Sequence, residues 1–285
     1  MRLKFGVDSF IWTENFNEKD IWIIQKAKDM GFEAIDFAIA NPFTFPLEKV
    51  KAEIARVGIE CVCTTTLTED TNPISPNPEI RVNAVKALKK CVDICNEIGA
   101  DILGGVNYAA WGYITRRPRT PEEWEWSTSC MREAAEYAKA TGNVVICVEC
   151  VNRFETFLLN IAEDAVKYCK DVGTGNVKVH LDCFHMIREE KSFKGAVKTC
   201  GKEYLGYIHV NENDRGIPGT GLVPFKEFFE AVAEVGYDGP LTIESFDPSF
   251  EELAGNCAIW RSFAPTGEAL AEEGLANLKS IASKI

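Results

Sequence analysis

Short apolar runs rich in β-branched residues alternate with longer amphipathic stretches, and this pairing recurs eight times along the chain. The predicted strands are residues 4–10, 33–39, 60–67, 101–108, 144–150, 177–183, 204–210 and 241–246. The predicted helices are residues 18–32, 46–58, 79–99, 121–142, 161–173, 193–201, 224–239 and 267–284. A regular β–α order favours a parallel sheet, and eight units favour its closure. The pattern therefore predicts an α/β protein, a single (β/α)₈ barrel domain spanning residues 1–285.

A doubly wound open sheet is the alternative for such an alternation. That fold places a glycine-rich phosphate-binding loop directly after its first strand. The corresponding segment here, GVDSFIW (residues 6–12), contains no such loop. The closed barrel is therefore the preferred prediction.

Glycines mark the ends of several predicted helices, where a left-handed residue commonly terminates the hydrogen-bonding pattern. We expect this conformation at Gly31, Gly58, Gly99, Gly142, Gly173 and Gly236. Asn160, followed three residues later by Glu163, predicts a capping box at the start of the fifth helix.

The net charge of −12 and the pI of about 4.9 argue against nucleic acid or an anionic membrane as a partner. Eleven cysteines, an odd number lying mostly in apolar runs, are typical of buried reduced thiols. The Cys147–Cys150 pair lacks a second pair of ligands at zinc-finger spacing, so we interpret it as structural. The sequence shows neither a signal-peptide pattern nor a membrane-length apolar run, so we expect a cytoplasmic protein.

Four consecutive predicted strands each end near a side chain that can bind a metal ion. In chain order these are Glu149, Asp182, His209 and Glu244. The C-terminal ends of the strands, here called the rim, carry the active site in barrels of this type. Three carboxylates and one imidazole suit Mn²⁺, Mg²⁺ or Co²⁺ better than a structural zinc ion. The sequence therefore predicts a divalent-metal site at the rim.

Two of the chain's three histidines flank Asp182 in the segment VKVHLDCFHM (residues 177–186). His180 shares the inward face of the strand but lies one layer deeper, so we interpret it as a core group or a support for the ligands. His185 is expected in a loop above the rim, where it can donate to a substrate oxygen.

Several segments closely resemble the ketose 3-epimerases, the D-tagatose, D-allulose (psicose) and L-ribulose 3-epimerases of the xylose-isomerase-like TIM barrel superfamily. The resemblance extends almost from end to end. It is most specific in ECVNRFETFLLN (149–160), HLDCFHMIREE (180–190), YIHVNENDRGIPGTG (207–221) and TIESF (242–246). The chain departs from the usual family pattern at Cys183, at Ile187–Arg188 and at Ser245, so the loop beyond Asp182 is expected to contact substrate differently.

The resemblance implies metal-dependent epimerisation of a free ketose at C3. It implies that the four rim residues bind the metal ion and that Glu149 and Glu244 also form the acid/base pair. It further implies that Glu155, His185 and Arg215 hold the reacting end of the sugar. The plainer interpretations are that Glu155 pairs with Arg153 and that Arg215 is an arginine of a surface loop.

Three aromatic side chains at the rim are candidates to line the far end of the sugar, namely Trp12, Trp111 and Phe246. The expected cofactor is Mn²⁺, with Co²⁺ or Mg²⁺ as alternatives. The resemblance also implies a homodimer or homotetramer. No glycine-rich phosphate loop is apparent, and the best counter-candidate is RGIPGTG (215–221), whose glycines are expected to serve turns.

Three other functions remain open on the sequence. An aldose–ketose isomerase, or another enzyme converting a sugar or inositol, would use the same ion but act at other carbons. An abasic-site nuclease of related fold needs a histidine-rich three-zinc cluster and a basic groove, which three histidines and a charge of −12 disfavour. A non-catalytic sugar-binding barrel would lack the acid pair, yet both glutamates are present.

Overall fold

Eight parallel strands close into a barrel in the order of the chain. The computed structural model describes residues 2–285. The strands are β1 (Lys4–Asp8), β2 (Ala34–Ala38), β3 (Glu60–Thr64), β4 (Ile102–Gly104), β5 (Val145–Glu149), β6 (Val177–Asp182), β7 (Leu205–His209) and β8 (Pro240–Ile243). Each strand pairs with the next and β8 pairs with β1, so the sheet has no free edge. The predicted (β/α)₈ barrel is confirmed.

Helices connect the strands and cover the outside of the barrel. They are α1 (Trp22–Asp29), α2 (Leu47–Val57), α3 (Pro78–Ile98), α4 (Pro121–Thr141), α5 (Ala162–Val172), α6 (Cys183–Glu189), α7 (Phe193–Tyr204), α8 (Phe225–Val235), α9 (Glu251–Asn256) and α10 (Gly267–Ala282). All eight predicted strand–helix pairs are present. The short helices α6 and α9 were outside the prediction, because neither is long enough to show a hydrophobic period.

Helix α6 corrects the expected position of His185, which lies in this helix and not in a loop. The helix starts at the residue that follows β6. The carboxylate of Asp182 accepts a hydrogen bond from the Phe184 backbone N–H at 2.6 Å and so caps the helix. Asp182 therefore ends a strand and starts a helix at the same time.

Two of the expected helix signals are wrong. Gly142 has φ −179°, which is extended and not left-handed, and a Cβ there would lie 2.1 Å from Asn96 Oδ1. Asn160 forms no capping box, because its side-chain amide donates to the carbonyls of Val151 and Thr156. The other glycine positions are confirmed as left-handed, with φ of 64–86° at Gly31, Gly58, Gly99, Gly173 and Gly236.

The side chains that point into the barrel change from apolar to polar toward the rim. Val62, Cys147 and Tyr207 form a small apolar cluster inside the barrel. Above it the Tyr207 hydroxyl lies 2.7 Å from both Asp36 Oδ2 and Thr242 Oγ1. Side chains that alternate to the other face pack under the helices. The barrel interior is therefore a packed floor beneath a polar rim.

Ten of the eleven cysteines are buried, and all eleven are free thiols. Burial raises the pKa of Cys61 to about 12 and that of Cys130 to about 11, which keeps both thiols protonated and unreactive. The interpretation of these cysteines as packing residues agrees with this placement. Within residues 2–285, no helix combines the length and the apolar character needed to cross a membrane.

Gly105 provides a test of the packing that supports the rim. Its φ is +101°, and an added Cβ would lie 2.2 Å from the Thr65 carbonyl oxygen. We expect Gly105→Ala to lower the free energy of unfolding by about 3 kcal/mol, from the backbone strain and the overpacking together.

The matched control is Gly58→Ala, where φ is +64° but nothing lies within 4 Å of the added Cβ. Only the backbone strain remains there, and we expect a loss of about 1 kcal/mol. Denaturant unfolding of both variants measures the difference. Equal losses of stability in the two variants would contradict the close approach of Gly105 to the Thr65 carbonyl.

Candidate metal centre and active site

The structure brings the four predicted rim residues to one place. Glu149, Asp182 and His209 are the last residues of β5, β6 and β7, and Glu244 directly follows β8. His209 Nδ1 lies 3.7 Å from Asp182 Oδ2 and 3.6 Å from Glu244 Oε2. Ligand atoms of these three residues all lie within 4.8 Å of one another. The strand order alone produces this convergence, because neighbouring parallel strands end side by side.

Glu149 joins the same group through Asp182. Ligand atoms of Glu149, Asp182 and His185 also lie within 4.8 Å of one another. His185 Nε2 is 3.7 Å from Glu149 Oε1 and 3.9 Å from Asp182 Oδ2. Asp182, which is fully buried, thus lies between the two glutamates and belongs to both groups.

The hydrogen bonding of His209 is the kind expected of a metal ligand. Its Nε2 lies 3.2 Å from Asp36 Oδ2 and donates to it, which leaves the lone pair of Nδ1 facing Asp182 and Glu244. Nδ1 is buried and has no hydrogen-bond partner. Burial lowers the pKa of His209, but the carboxylates of Glu244, Asp182 and Asp36 outweigh it and raise the pKa, so a proton and a cation compete for Nδ1.

The guanidinium of Arg215 lies among the acids. Its Nη1 bonds Glu244 Oε2 and lies 3.4 Å from Asp182 Oδ2. Arg215 is 5% exposed, so the interpretation of it as a surface arginine is wrong. It has φ +64°, and its carbonyl accepts a hydrogen bond from the Ser245 hydroxyl at 2.6 Å.

The two glutamates differ in electrostatic environment. Burial, followed by the negative charge of Glu244, raises the pKa of Glu149 well above its usual value. Burial also acts to raise the pKa of Glu244, but the charges of Arg215 and His209 outweigh it and lower that pKa. The same balance, with Arg215 first among the charges, holds the pKa of Asp182 well below its usual range. The site thus contains one carboxyl group that favours a proton and two that favour ionisation.

Asn211 is a site residue that the sequence analysis missed. Its fully buried amide donates to Asp182 Oδ2 at 2.7 Å and accepts from the Glu244 backbone N–H at 2.7 Å. The same amide nitrogen lies 3.4 Å from Glu244 Oε2. Asn211 lies two residues beyond His209, so the strand alternation that places His209 inward was a signal for it.

Asp8 and Asp36 are two further buried acids that were missed. Asp8 is the last residue of β1, and Asp36 lies in the middle of β2. Asp36 accepts from the Thr64 and Tyr207 hydroxyl groups and from His209. Asp8 accepts from the Phe10 backbone N–H, and burial, followed by the charges of Asp36 and Glu244, raises its pKa. The signal for both was an aspartate inside each of the first two apolar runs, residues 4–10 and 33–39.

Glu155 and His185 lie on the β5 side of the group. Glu155 accepts from the indole N–H of Trp111 at 2.8 Å and from the Asn152 amide at 2.7 Å. Arg153 pairs with Glu189 instead, so the alternative Arg153–Glu155 pair is wrong. His185 Nδ1 accepts from the Asn152 backbone N–H at 3.1 Å, so its Nε2 carries the proton and faces Glu149.

The predicted aromatic residues fall into two places. Trp12 and Phe246 border one cavity of about 360 Å³, together with residues that follow Glu244 along the chain. Phe246 also packs against the guanidinium of Arg215, 4.8 Å from ring centre to Cζ. Trp111 lies apart from this cavity, on Glu155.

His180 lies below the rim, as expected. Its ring packs against those of Tyr207 and His209, with centroids 4.6 and 4.3 Å away. Its Nδ1 accepts from the Gly105 backbone N–H at 3.3 Å. Burial, followed by the charge of His209, lowers the pKa of His180, which therefore stays neutral beneath the candidate ligands.

The whole chain is similar to known sugar epimerases. The family model described as xylose isomerase-like TIM barrel matches residues 24–281. The D-psicose 3-epimerase of Ruminiclostridium cellulolyticum is 33% identical over 92% of this chain and 90% of its own length. The ketose 3-epimerase of Arthrobacter globiformis is 32% identical over 94% of this chain and 93% of its own.

Solved structures give the same result. The D-allulose 3-epimerase from a Methylomonas species superposes with a TM-score of 0.93 at 29% identity, covering 98% of both chains. The D-psicose 3-epimerase of Clostridium cellulolyticum H10, solved with D-tagatose, has a TM-score of 0.88 at 29% identity and covers 98% of this chain and 99% of its own. This chain belongs to the ketose 3-epimerases of the xylose isomerase-like TIM barrel family.

Proposed function

We propose that the enzyme epimerises free ketoses at C3 through a cis-enediolate, with Glu149 and Glu244 as the acid/base pair. The observation that carries the proposal is the placement of the two glutamates on β5 and just after β8, with Asp182 and His209 between them. A sugar bound over Asp182 and His209 would have one carboxyl group on each side of its C3 carbon.

The residues that would hold the metal ion are Glu149, Asp182, His209 and Glu244. Their oxygen-rich donor set favours Mn²⁺, with Co²⁺ or Mg²⁺ as alternatives. When bound, the ion supplies a Lewis acid that stabilises negative charge on the sugar oxygens, typically by several kcal/mol. The unpartnered Nδ1 of His209 supports this assignment.

The two glutamates exchange the proton at C3. In one direction Glu244, whose pKa is lowered by Arg215 despite its burial, removes the proton from one face of the sugar. Glu149, whose pKa is raised by burial, then delivers a proton to the opposite face. The roles reverse for the other epimer. Acid–base assistance of this kind contributes about 10²–10⁴-fold to the rate.

Three further residues would hold the reacting end of the sugar. Arg215 and the Nε2–H of His185 are donors that face Glu244 and Glu149 respectively. A sugar oxygen that gains negative charge would lie near them. Glu155, fixed by Trp111 and the Asn152 amide, would accept from a sugar hydroxyl. Trp12 and Phe246 would line the far end.

The loop that was the best candidate for phosphate binding supports a free sugar instead. A phosphate would need its backbone N–H groups as donors. In the segment after β7, the buried carboxylate of Glu212 already accepts from the N–H groups of Gly219 and Val223. The loop therefore binds its own carboxylate, and we propose unphosphorylated ketoses as substrates.

We also propose that the protein assembles as a homodimer or homotetramer. Phe154 is 71% exposed, in the same segment as Asn152 and Glu155. Ile187 is also exposed, and Arg188 lies 6.0 Å from the Phe154 ring. This apolar surface supports a subunit contact near the site.

Removal of metal should abolish turnover. Dialysis against a chelator, followed by assay with a free ketose, should show no C3 epimer, and Mn²⁺ or Co²⁺ should restore it. The ion should also raise the midpoint of thermal unfolding, because it neutralises buried carboxylates only in the folded state. Full activity in protein shown to be free of metal would contradict the proposal.

In heavy water, the wild-type enzyme should place deuterium at C3 of the product and, with time, of the substrate. Glu149→Gln and Glu244→Gln should each abolish net epimerisation while still exchanging the C3 proton of one epimer. Metal content must be measured, since both residues are proposed ligands. Deuterium at C1 in the wild type would instead indicate aldose–ketose isomerisation.

Asn211 should control metal affinity without touching the sugar. We expect Asn211→Ala to weaken Mn²⁺ binding by about 10–100-fold, as is typical when a group that orients metal ligands is lost. The control is Asn176→Ala, which loses a hydrogen bond to the Ala135 carbonyl before β6, at the opposite end of the barrel. Calorimetric titration measures both. Unchanged affinity in Asn211→Ala would contradict the positioning role.

A further inference from the structure

Asp8 has a carboxylate oxygen for which the protein provides no partner. Among residues 2–285 it is the only acidic side chain with a buried oxygen that lacks a hydrogen bond. Asp8 is the last residue of β1, and in the strand register it lies opposite Asp36 of β2. On its other side Val7 pairs with Ile243, which places Asp8 beside Glu244. The free oxygen therefore belongs to the rim that carries the candidate metal centre.

The carboxylate is held in one orientation. Its Oδ1 accepts from the Phe10 backbone N–H at 2.6 Å, and Oδ2 is left without a partner. A carboxylate oxygen of Asp8 lies within 4.8 Å of ligand atoms of Asp36 and His209. No lysine or arginine within residues 2–285 forms an ion pair with Asp8. Because an unpaired buried oxygen is costly, its position calls for a partner from outside the chain.

The surroundings favour a hydroxyl group over a cation as this partner. Asp36 already binds Thr64, Tyr207 and His209, so the two aspartates offer a cation few free lone pairs. A hard cation such as Mg²⁺ or Ca²⁺ needs about six oxygen ligands, whereas a hydroxyl group needs one acceptor.

A second unpartnered group lies on the same segment. The indole N–H of Trp12, four residues after Asp8, is buried and has no acceptor. Trp12 borders the cavity of about 360 Å³ that also contacts Ser245, the residue after Glu244. An unused acceptor and an unused donor thus lie on the β1–β8 side of the site, which suits the hydroxyl groups of a sugar chain extending away from Glu244.

We propose that Asp8 selects the substrate by accepting, through Oδ2, a hydrogen bond from a hydroxyl group on C4, C5 or C6 of the ketose. The inference rests on the proposed function, because it takes the ketose as substrate. Those carbons are identical in the two C3 epimers. Asp8 therefore contributes equally to both directions of the reaction, unlike Glu149 and Glu244.

The test compares a ketohexose with its 4-deoxy, 5-deoxy and 6-deoxy analogues on Mn²⁺-loaded enzyme. The wild type should have a kcat/KM about 10–100-fold lower for one analogue than for the parent sugar, the range expected when a buried acceptor loses its hydrogen-bond partner. Asp8→Ala should bring the parent sugar down to the level of that analogue, by the same factor for both epimers.

Two further variants serve as a conservative substitution and a control. Asp8→Asn retains the contact with Phe10 and should show a smaller loss of selectivity. If Asp8→Ala does not fold, this variant still gives the ratio of kcat/KM between the parent sugar and the deoxy analogue. Asp36→Asn removes a neighbouring buried charge whose oxygens are already bonded within the protein. It should lower kcat/KM for every sugar by one common factor and leave the ratio between parent and analogue unchanged.

The outcomes separate the two proposals. Failure of the wild type to epimerise any free ketose would refute the proposed function. Dissociation constants from thermal shifts would then still compare the binding of the parent sugar with that of its deoxy analogues, and so test Asp8. Epimerisation of the parent with equal kcat/KM for all three analogues would overturn the role of Asp8 alone. An equal loss on all sugars in Asp8→Ala would also overturn it.

Discussion

Buried negative charge at the rim is the constraint on which the rest of the site depends. Glu149, Asp182 and Glu244 are taken out of water within reach of one another, and each is unfavourable there unless a positive charge compensates it. Arg215 supplies one such charge from within the chain. The lone pair of His209 and the convergence of the carboxylate oxygens leave a place for a second, a divalent cation. Close packing of like charges is unfavourable for stability, and we propose that the site uses it to bind an ion and to move a proton.

The fold holds this arrangement through contacts at some distance from the reacting atoms. Glu212 binds the backbone of its own loop and so shapes the segment that carries Arg215, which adopts a left-handed conformation fixed through its carbonyl by Ser245. Asn211 links the carboxylate of Asp182 to the backbone of Glu244 across β7. Most of the geometry therefore comes from strands and from loops bonded to themselves, which preorganises the site.

The sequence predicted the barrel and the four rim residues because both follow from strand order. Alternation fixes which side chain faces inward, and parallel pairing brings the last inward residue of each strand to one ring. It could not predict Arg215 on Glu244, because that contact depends on the path of a loop. His185 was misplaced because a helix of seven residues, α6, has no detectable period. Asp8 was missed because the predicted first strand ran to residue 10, whereas β1 ends at Asp8.

The central claim is that one divalent cation lies among four named side chains of the rim. Anomalous diffraction from crystals grown with Mn²⁺ tests it most directly. We expect one strong peak bonded to Glu149, Asp182, His209 Nδ1 and Glu244. A peak at Asp8 and Asp36, or bonding through His209 Nε2, would contradict it.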